Sequence, residues 1–191
     1  MKFFFRHILS LLILTIIPLA SFAQMTDQDR AKQIKEQAEQ GIAEAQYILG
    51  NMYAQGFNVE QNLKKSFQWI EKSAKQGYAA AEFDLASKYD IGEGIETNLQ
   101  EAAIWYEKVA KKGEAAAAFN LASMYESGQG LPKDLINAYA WFEAAAIMGF
   151  EDAKTESKNL VQSFDASTLE KADAKAAELI NQLMQNHKRD K

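Results

Sequence analysis

Three tryptophans, Trp69, Trp105 and Trp141, stand thirty-six residues apart. Tyr53, Tyr89 and Tyr125 keep the same step, as do Leu49, Leu85 and Leu121, and Gly41, Gly77, Gly113 and Gly149. A period of this length marks a repeat architecture, in which one unit cannot bury its apolar face alone and must stack on its neighbours. Residues 43–78, 79–114 and 115–150 align as three successive units. The chain is thereby confined to folds whose core runs along an axis.

Each unit reads as two helices. In the first half, Ala81, Leu85 and Tyr89 recur every four residues, one stripe of a helix. In the second, Leu99, Ala102, Ala103, Tyr106 and Ala110 do the same. Asn62, Asn98 and Asp134 share one register just before the second helix and are predicted N-caps, with Glu101 completing a capping box on Asn98. Gly77, Gly113 and Gly149 fall just past the second helix, where a left-handed stop suits glycine. Glu71 with Lys75, and Glu107 with Lys111, have the favourable i, i+4 order.

The stretch SGQGLPKD (127–134) resembles a phosphate-cradling loop only in isolation. It occupies the register of QGFNVEQN (55–62) and IGEGIETN (91–98), between the two helices of each unit. No strand signal precedes it, and neither a third glycine nor Gly-Lys-Ser/Thr is present, so it reads as a turn. Its glycines supply positive φ, and Asn58, in the place of the second glycine, is the next most tolerant residue.

The order Ala-x-x-x-Leu-Gly-x-x-Tyr-x-x-Gly-x-Gly, then Ala-x-x-Trp and a closing Ala-Ala-x-x-Gly, resembles the Sel-one-like repeat (SLR) family, relatives of the tetratricopeptide repeats. The matching residues are Leu49-Gly50, Tyr53, Gly56, Trp69, Ala74 and Gly77 in the first unit. The second has Leu85, Tyr89, Gly92, Gly94, Ala102, Trp105, Ala110 and Gly113. In the third they are Leu121, Tyr125, Gly128, Gly130, Ala138, Trp141, Ala145, Ala146 and Gly149. Ala86 and Ala122 stand where the family usually has glycine, a departure expected to widen the helix contact slightly. The resemblance implies an all-α solenoid of antiparallel helix pairs, wound as a right-handed superhelix with a concave face. The tryptophans are assigned to its core.

The flanks fit as caps. Residues 24–42 are expected to form an N-terminal capping helix in the register of a second helix, with Gln33 where tryptophan belongs. Residues 151–191 are expected to form C-terminal capping helices and a tail. There EDAKTESKNLVQSF is the first helix of a fourth unit, and Asp165 or Ser167 caps a long last helix through Leu169, Ala172, Ala176, Leu179, Ile180 and Leu183. The closing NHKRDK is expected to fray.

Residues 1–23 have the parts of a secretory signal peptide. Lys2 and Arg6 precede an apolar run from Ile8 to Ile17, and Ser21-Phe22-Ala23 offers a small-residue cleavage site. The run is broken by Ser10 and Thr15 and ends at Pro18, short of the ~20 apolar residues of a spanning helix. Cleavage after Ala23 is expected, with export to the periplasm and no stable membrane insertion afterwards. The chain has no cysteine, so it carries neither a thiol for lipid attachment nor disulfides. That also separates it from the cysteine-rich branch of the family.

Composition narrows the function classes. The formal charge is −5, and loss of Lys2 and Arg6 makes the exported chain more acidic still, which argues against a nucleic-acid partner. Of two histidines, His7 leaves with the signal and His187 lies in the tail, so no nucleophilic triad, zinc cluster or cofactor site is expected. What remains is the concave surface. By analogy with tetratricopeptide-like units, its candidate lining is Glu44, Tyr47, Asn51, Phe83, Ser87, Asp90, Phe119, Ser123 and Glu126, with Ala54, Ala80 and Ala116 between them. Tyr47, Phe83 and Phe119 form an aromatic row with two readings, packing of unit on unit or partner recognition. Glu44, Asp90 and Glu126 are the better groove markers, because packing does not require them.

The expected function is an exported, non-enzymatic adaptor that binds a protein or peptide in this groove. The rival is a regulator of a cell-wall hydrolase in the bacterial envelope, or an enzyme acting as one. The enzyme reading requires ionisable residues converging in one pocket, with a perturbed carboxylate among them.

Overall fold

The computed structural model describes residues 26–189; the export signal expected over residues 1–23 lies outside them. Nine helices follow one another among the described residues: α1 (Asp27–Glu39), α2 (Ala43–Gln55), α3 (Leu63–Lys75), α4 (Ala79–Ile91), α5 (Leu99–Ala110), α6 (Ala115–Ser127), α7 (Leu135–Ile147), α8 (Glu151–Val161) and α9 (Ala166–Arg189). Each of α1 to α7 packs on the next, and α9 packs on α7. The result is a solenoid of helix pairs.

Local chemistry sets the ends of these helices. The Asn62 carboxamide oxygen accepts from the Lys65 amide at 2.9 Å, Asn98 from Glu101 at 3.1 Å, and Asp134 from Ile136 and Asn137 at 3.0 and 2.9 Å. Each such cap contributes about 1 kcal/mol by satisfying a donor that the first turn leaves open. At Asn98 only the forward half of the expected capping box forms. A complete box closes instead at α1, where Thr26 and Asp29 bond reciprocally, each backbone N–H to the other's side-chain oxygen at 3.1 Å.

The second loop glycine does more than accept a positive φ. A Cβ built on Gly94 would lie 2.1 Å from the Leu63 carbonyl oxygen, and one on Gly130 would lie 2.4 Å from that of Leu99. Each loop therefore rests against the start of the preceding unit's second helix. In the first unit the register oxygen belongs to Asp27, and Asn58, at φ 56°, donates its side-chain amide to it at 3.4 Å. That contact identifies α1 as the second helix of a degenerate leading unit.

The core runs along the stack. Leu49, Leu85 and Leu121 are each at most 1% exposed, a burial worth about 1.5–3 kcal/mol per side chain. The Gly50 position also has a packing reason: a Cβ there would sit 2.7 Å from Cγ1 of Ile70. In the register of Ile70 the later units carry Tyr106 and Phe142, unbranched at Cβ, and there Ala86 and Ala122 are fully buried. The tryptophans divide. Trp141 is buried as expected, whereas Trp69 and Trp105 are half-buried, with the Lys72 and Lys108 ammonium groups 3.9 and 4.3 Å from their ring centroids. Their outer faces lie under lysine stems because α3 and α5 flank the stack rather than fill it.

At the C-terminal end Asp165, not Ser167, caps α9, accepting from the Thr168 amide at 2.7 Å. Ala172, Ala176 and Leu179 are buried, and Tyr139 of α7 donates to Asp173 at 2.8 Å. The backbone is helical to Arg189, the last described residue.

Candidate functional site

The first helix of each unit, α2, α4 and α6, carries the candidate groove residues. Glu44 is exposed, and Tyr47, Asn51, Phe83, Ser87, Asp90, Phe119, Ser123 and Glu126 are half-buried. The aromatic row packs on one side and stays open on the other. Tyr47 meets Tyr78 with ring centroids 5.3 Å apart, Phe83 meets Tyr106 edge-on at 5.9 Å, and Phe119 meets both Phe142 at 5.3 Å and Phe150 at 4.6 Å. Ser123 spends its hydroxyl on the carbonyl of Phe119, one turn back in its own helix.

Asp90 is not a free rim charge. It accepts from the Tyr106 hydroxyl at 3.3 Å, and Ser87 and Asn120 face the same hydroxyl. Burial, reinforced by the Asp90 charge, pushes Tyr106 up to about 12. Ser87 and Asp90 are thus brought together by a tyrosine from the second helix, which sequence alone placed only in a packing stripe.

Charge is segregated between the two helices of a unit. Across α2, α4 and α6 the acids are Glu44, Glu82, Asp84, Asp90 and Glu126, and the only basic residue is Lys88, which is buried. Among the described residues no cation pairs with Glu44, Asp84, Asp90 or Glu126. The second helices α3 and α5 carry Lys64, Lys65, Lys72, Lys75 and Lys108, where Lys75 pairs with Glu71 at 2.7 Å and Lys108 covers Trp105.

The middle unit departs from its neighbours in ways that the list of candidates missed. Glu82 is fully buried, held by Lys112 at 2.5 Å and by Lys108 at 3.0 Å. Its Oε1 has no hydrogen bond, so the Lys108 contact is Coulombic only. In the first unit the same register is a pair of amides, with Gln76 donating to Gln46 at 2.7 Å, and in the third it holds Ala118 and Met148. Buried Lys88, paired with Glu93 at 2.5 Å, replaces Met52 and Met124. Comparing pairs of registers across the repeats exposes both exceptions, whereas scanning one helix at a time does not.

Asp84 is the other missed residue. It stands where the flanking units have Ile48 and Asn120, and burial holds its carboxyl above the usual range, with Tyr47 as its hydrogen-bonding neighbour. It lines a cavity of about 430 Å³ with Tyr47, Phe83, Glu82, Lys112 and Glu114. Ionisable groups do converge here. Glu82 is occupied by two lysines, however, and no serine, threonine or histidine lines the cavity, which leaves Asp84 and Glu114 as its available acids.

Known proteins share this architecture. The Sel1 repeat family model matches residues 43–78, 79–114 and 115–150. The chain is similar to c5321, a protective antigen present in uropathogenic Escherichia coli strains displaying an SLR fold, with 34% identity over 78% of this chain and 33% of that one and a TM-score of 0.66. It is also similar to a Sel1 repeat protein from Oxalobacter formigenes, at 32% identity over 72% of this chain and 56% of that one and a TM-score of 0.62. Helicobacter pylori cysteine rich protein B shares the fold, at 23% identity over 68% of this chain and 96% of that one and a TM-score of 0.52. The chain spans about a third of the length of the first of these and just over half of the second. No curated protein matches it. With its three matched repeats, the chain belongs to the Sel1 repeat family, whose members generally serve as scaffolds for protein interactions.

Proposed function

We propose that this is an exported, non-enzymatic interaction module that holds a segment of another protein in the groove along α2, α4 and α6. The observation that carries the reading is the charge pattern of that face: carboxylates without cations, interleaved with the half-open rings of Tyr47, Phe83 and Phe119. Unpaired acids of one sign attract a partner of the opposite sign and steer its approach. The bound segment is extended or helical and carries basic or polar side chains. Glu44, Asn51, Ser87, Asp90, Ser123 and Glu126 supply its polar contacts and the rings supply apolar area. The mechanism involves no covalent step and no cofactor.

Export to the periplasm is supported by the basic, apolar and small-residue order of residues 1–23. Among the described residues no helix is long and apolar enough to cross a membrane. Cross-linking in envelope extracts followed by identification of the captured proteins tests the binding reading, with Phe83→Ala and Asp90→Lys as the groove variants. Loss of a partner from folded variants supports it. If both variants fold and keep every partner, the groove is not the binding surface.

One observation favours a second reading, action on cell-wall material directly or through a bound hydrolase: the raised Asp84 carboxyl faces a cavity that also holds Glu114. Purified peptidoglycan incubated with the protein separates the two. Release of soluble fragments that Asp84→Asn abolishes establishes an enzyme. Release only when an envelope hydrolase is added establishes a regulator.

A further inference from the structure

The cavity beside Phe83 exists because one repeat lacks a ring that its neighbours have. The residue at the N-cap of each first helix has its side chain free of capping bonds, and its register reads Ile42, Tyr78, Glu114 and Phe150. Tyr78 lies against Tyr47, and Phe150 stacks on Phe119 at 4.6 Å with planes 28° apart. Phe83 occupies the same place in the middle unit, but the residue that should cover it is Glu114, exposed and without a cap bond. The slot that an aromatic ring fills in the first and third units is here part of the open cavity, lined by Phe83, Glu114, Asp84 and Tyr47.

Three departures coincide at this one place. Glu114 replaces an aromatic, Asp84 replaces Ile48 and Asn120, and Tyr47 alone in its row carries a hydroxyl, which faces Asp84. A slot shaped for a flat ring, floored by a phenyl face and edged by two carboxylates that form no salt bridge among the described residues, matches a planar cation. Arginine is the side chain with that form: its guanidinium stacks on aromatic faces and bonds carboxylates through a fixed fork of N–H donors. A lysine ammonium matches the charge but not the plane. We propose that the cavity is the seat of a single arginine side chain of the partner polypeptide, stacked on Phe83 and bonded to Asp84 and Glu114. This rests on the groove reading above and makes the middle unit its specificity-determining point.

Burial disfavours the Asp84 carboxylate in the free protein, and the Tyr47 hydroxyl and the Lys88 charge offset only part of that cost. A bound guanidinium supplies a further cation. Lys112 is not a competitor, because its ammonium is held by Glu82 at 2.5 Å.

The test is a titration of the full exported chain with N-acetyl-arginine amide, followed by backbone amide shifts in two-dimensional NMR. N-acetyl-citrulline amide, the neutral isostere, and N-acetyl-lysine amide serve as controls. Saturable shifts centred on Ala79, Ala80 and Gly113 are expected with arginine, weaker ones with lysine, and none with citrulline. Asp84→Asn should bind arginine about tenfold more weakly, the effect of losing one charge-assisted hydrogen bond. Glu114→Phe refills the slot as Phe150 does over Phe119. It should abolish the shifts while melting at or above the temperature of the parent, so loss of binding cannot be ascribed to unfolding.

Equal shifts from arginine and citrulline, or arginine shifts that survive Glu114→Phe, overturn the proposal. A ten-residue peptide of alternating arginine and alanine separates its failure from that of the groove reading. If the peptide shifts amides along α2, α4 and α6 equally in the parent and in Glu114→Phe, the groove stands and the arginine seat falls. If the peptide shifts nothing, both fall.

Discussion

Replacing Gly94 by alanine should cost far more than replacing Gly113, although both glycines have strongly positive φ, 80° and 96°. At Gly113 nothing lies within 4 Å of an added Cβ, so only backbone strain applies. A left-handed non-glycine residue costs about 1–2 kcal/mol. Reduced freedom of the unfolded chain returns roughly 0.4–1 kcal/mol. The net loss is then about 1 kcal/mol. At Gly94 the same strain is joined by a Cβ lying 2.1 Å from the Leu63 oxygen and 2.6 Å from its carbonyl carbon. The obstacle is backbone at the first residue of α3, and it cannot turn aside as a side chain can. Forced overlap of this kind adds about 1–3 kcal/mol, for a total of roughly 3 kcal/mol. Urea unfolding followed by both tryptophan fluorescence and helical circular dichroism gives the two values, and coincident transitions license the comparison. A difference below about 0.5 kcal/mol would refute the reasoning, since the loop would then be free to lift off α3.

Three other perturbations follow from the core. The Ser66 hydroxyl is fully buried without a partner, in the register that Ala102 and Ala138 occupy, so Ser66→Ala should stabilise by about 1 kcal/mol and raise the melting temperature; a lower melting temperature would reveal a bond that this account omits. Lys112→Met leaves buried Glu82 with only the Coulombic contact to Lys108 and should cost roughly 1–3 kcal/mol. Adding Glu82→Ala recreates the Ala118 and Met148 pair of the third unit and should recover most of that loss, while purely additive costs in the unfolding free energies would contradict the pairing. Tyr106 is neutral in both states below pH 10 and has its folded value pushed up to about 12, so the stability it supports should decline as pH rises between these limits. Absorbance titrations of tyrosinate in the parent and in Tyr106→Phe should differ by one group that ionises only with alkaline unfolding, and early titration of that group in the folded chain would count against the burial argument.

Most of the fold was legible because its causes are local and repeated. Helix caps at Asn62, Asn98 and Asp134, left-handed stops at Gly77, Gly113 and Gly149, and a leucine register at Leu49, Leu85 and Leu121 each depend on residues close in the chain. The period then dictates stacking, because one helix pair has no second surface against which to hide its apolar side. The tryptophans were read less well: Trp69 and Trp105 share the register of Trp141 but keep a face under a lysine. Exposure at a repeated position depends on what the next unit lays over it, and a period does not carry that information.

The candidate groove was legible as a face and not as a site. Stepping Tyr47, Phe83 and Phe119 by one period put three rings on the first helices of successive units, but it treated the three units as equivalent. The structure makes the middle one different, through Glu82 clamped by two lysines, through Asp84 facing Tyr47, and above all through Glu114 leaving Phe83 uncovered. Each of these is a relation between residues some thirty positions apart, joined only when successive units stack. Sequence alone determined the helices, their caps and the repeat, since backbone hydrogen bonding and side-chain period act within a few residues. Tertiary structure alone decided where a charge is buried and where a ring is missing, because both depend on the volume that neighbouring units fill or leave open.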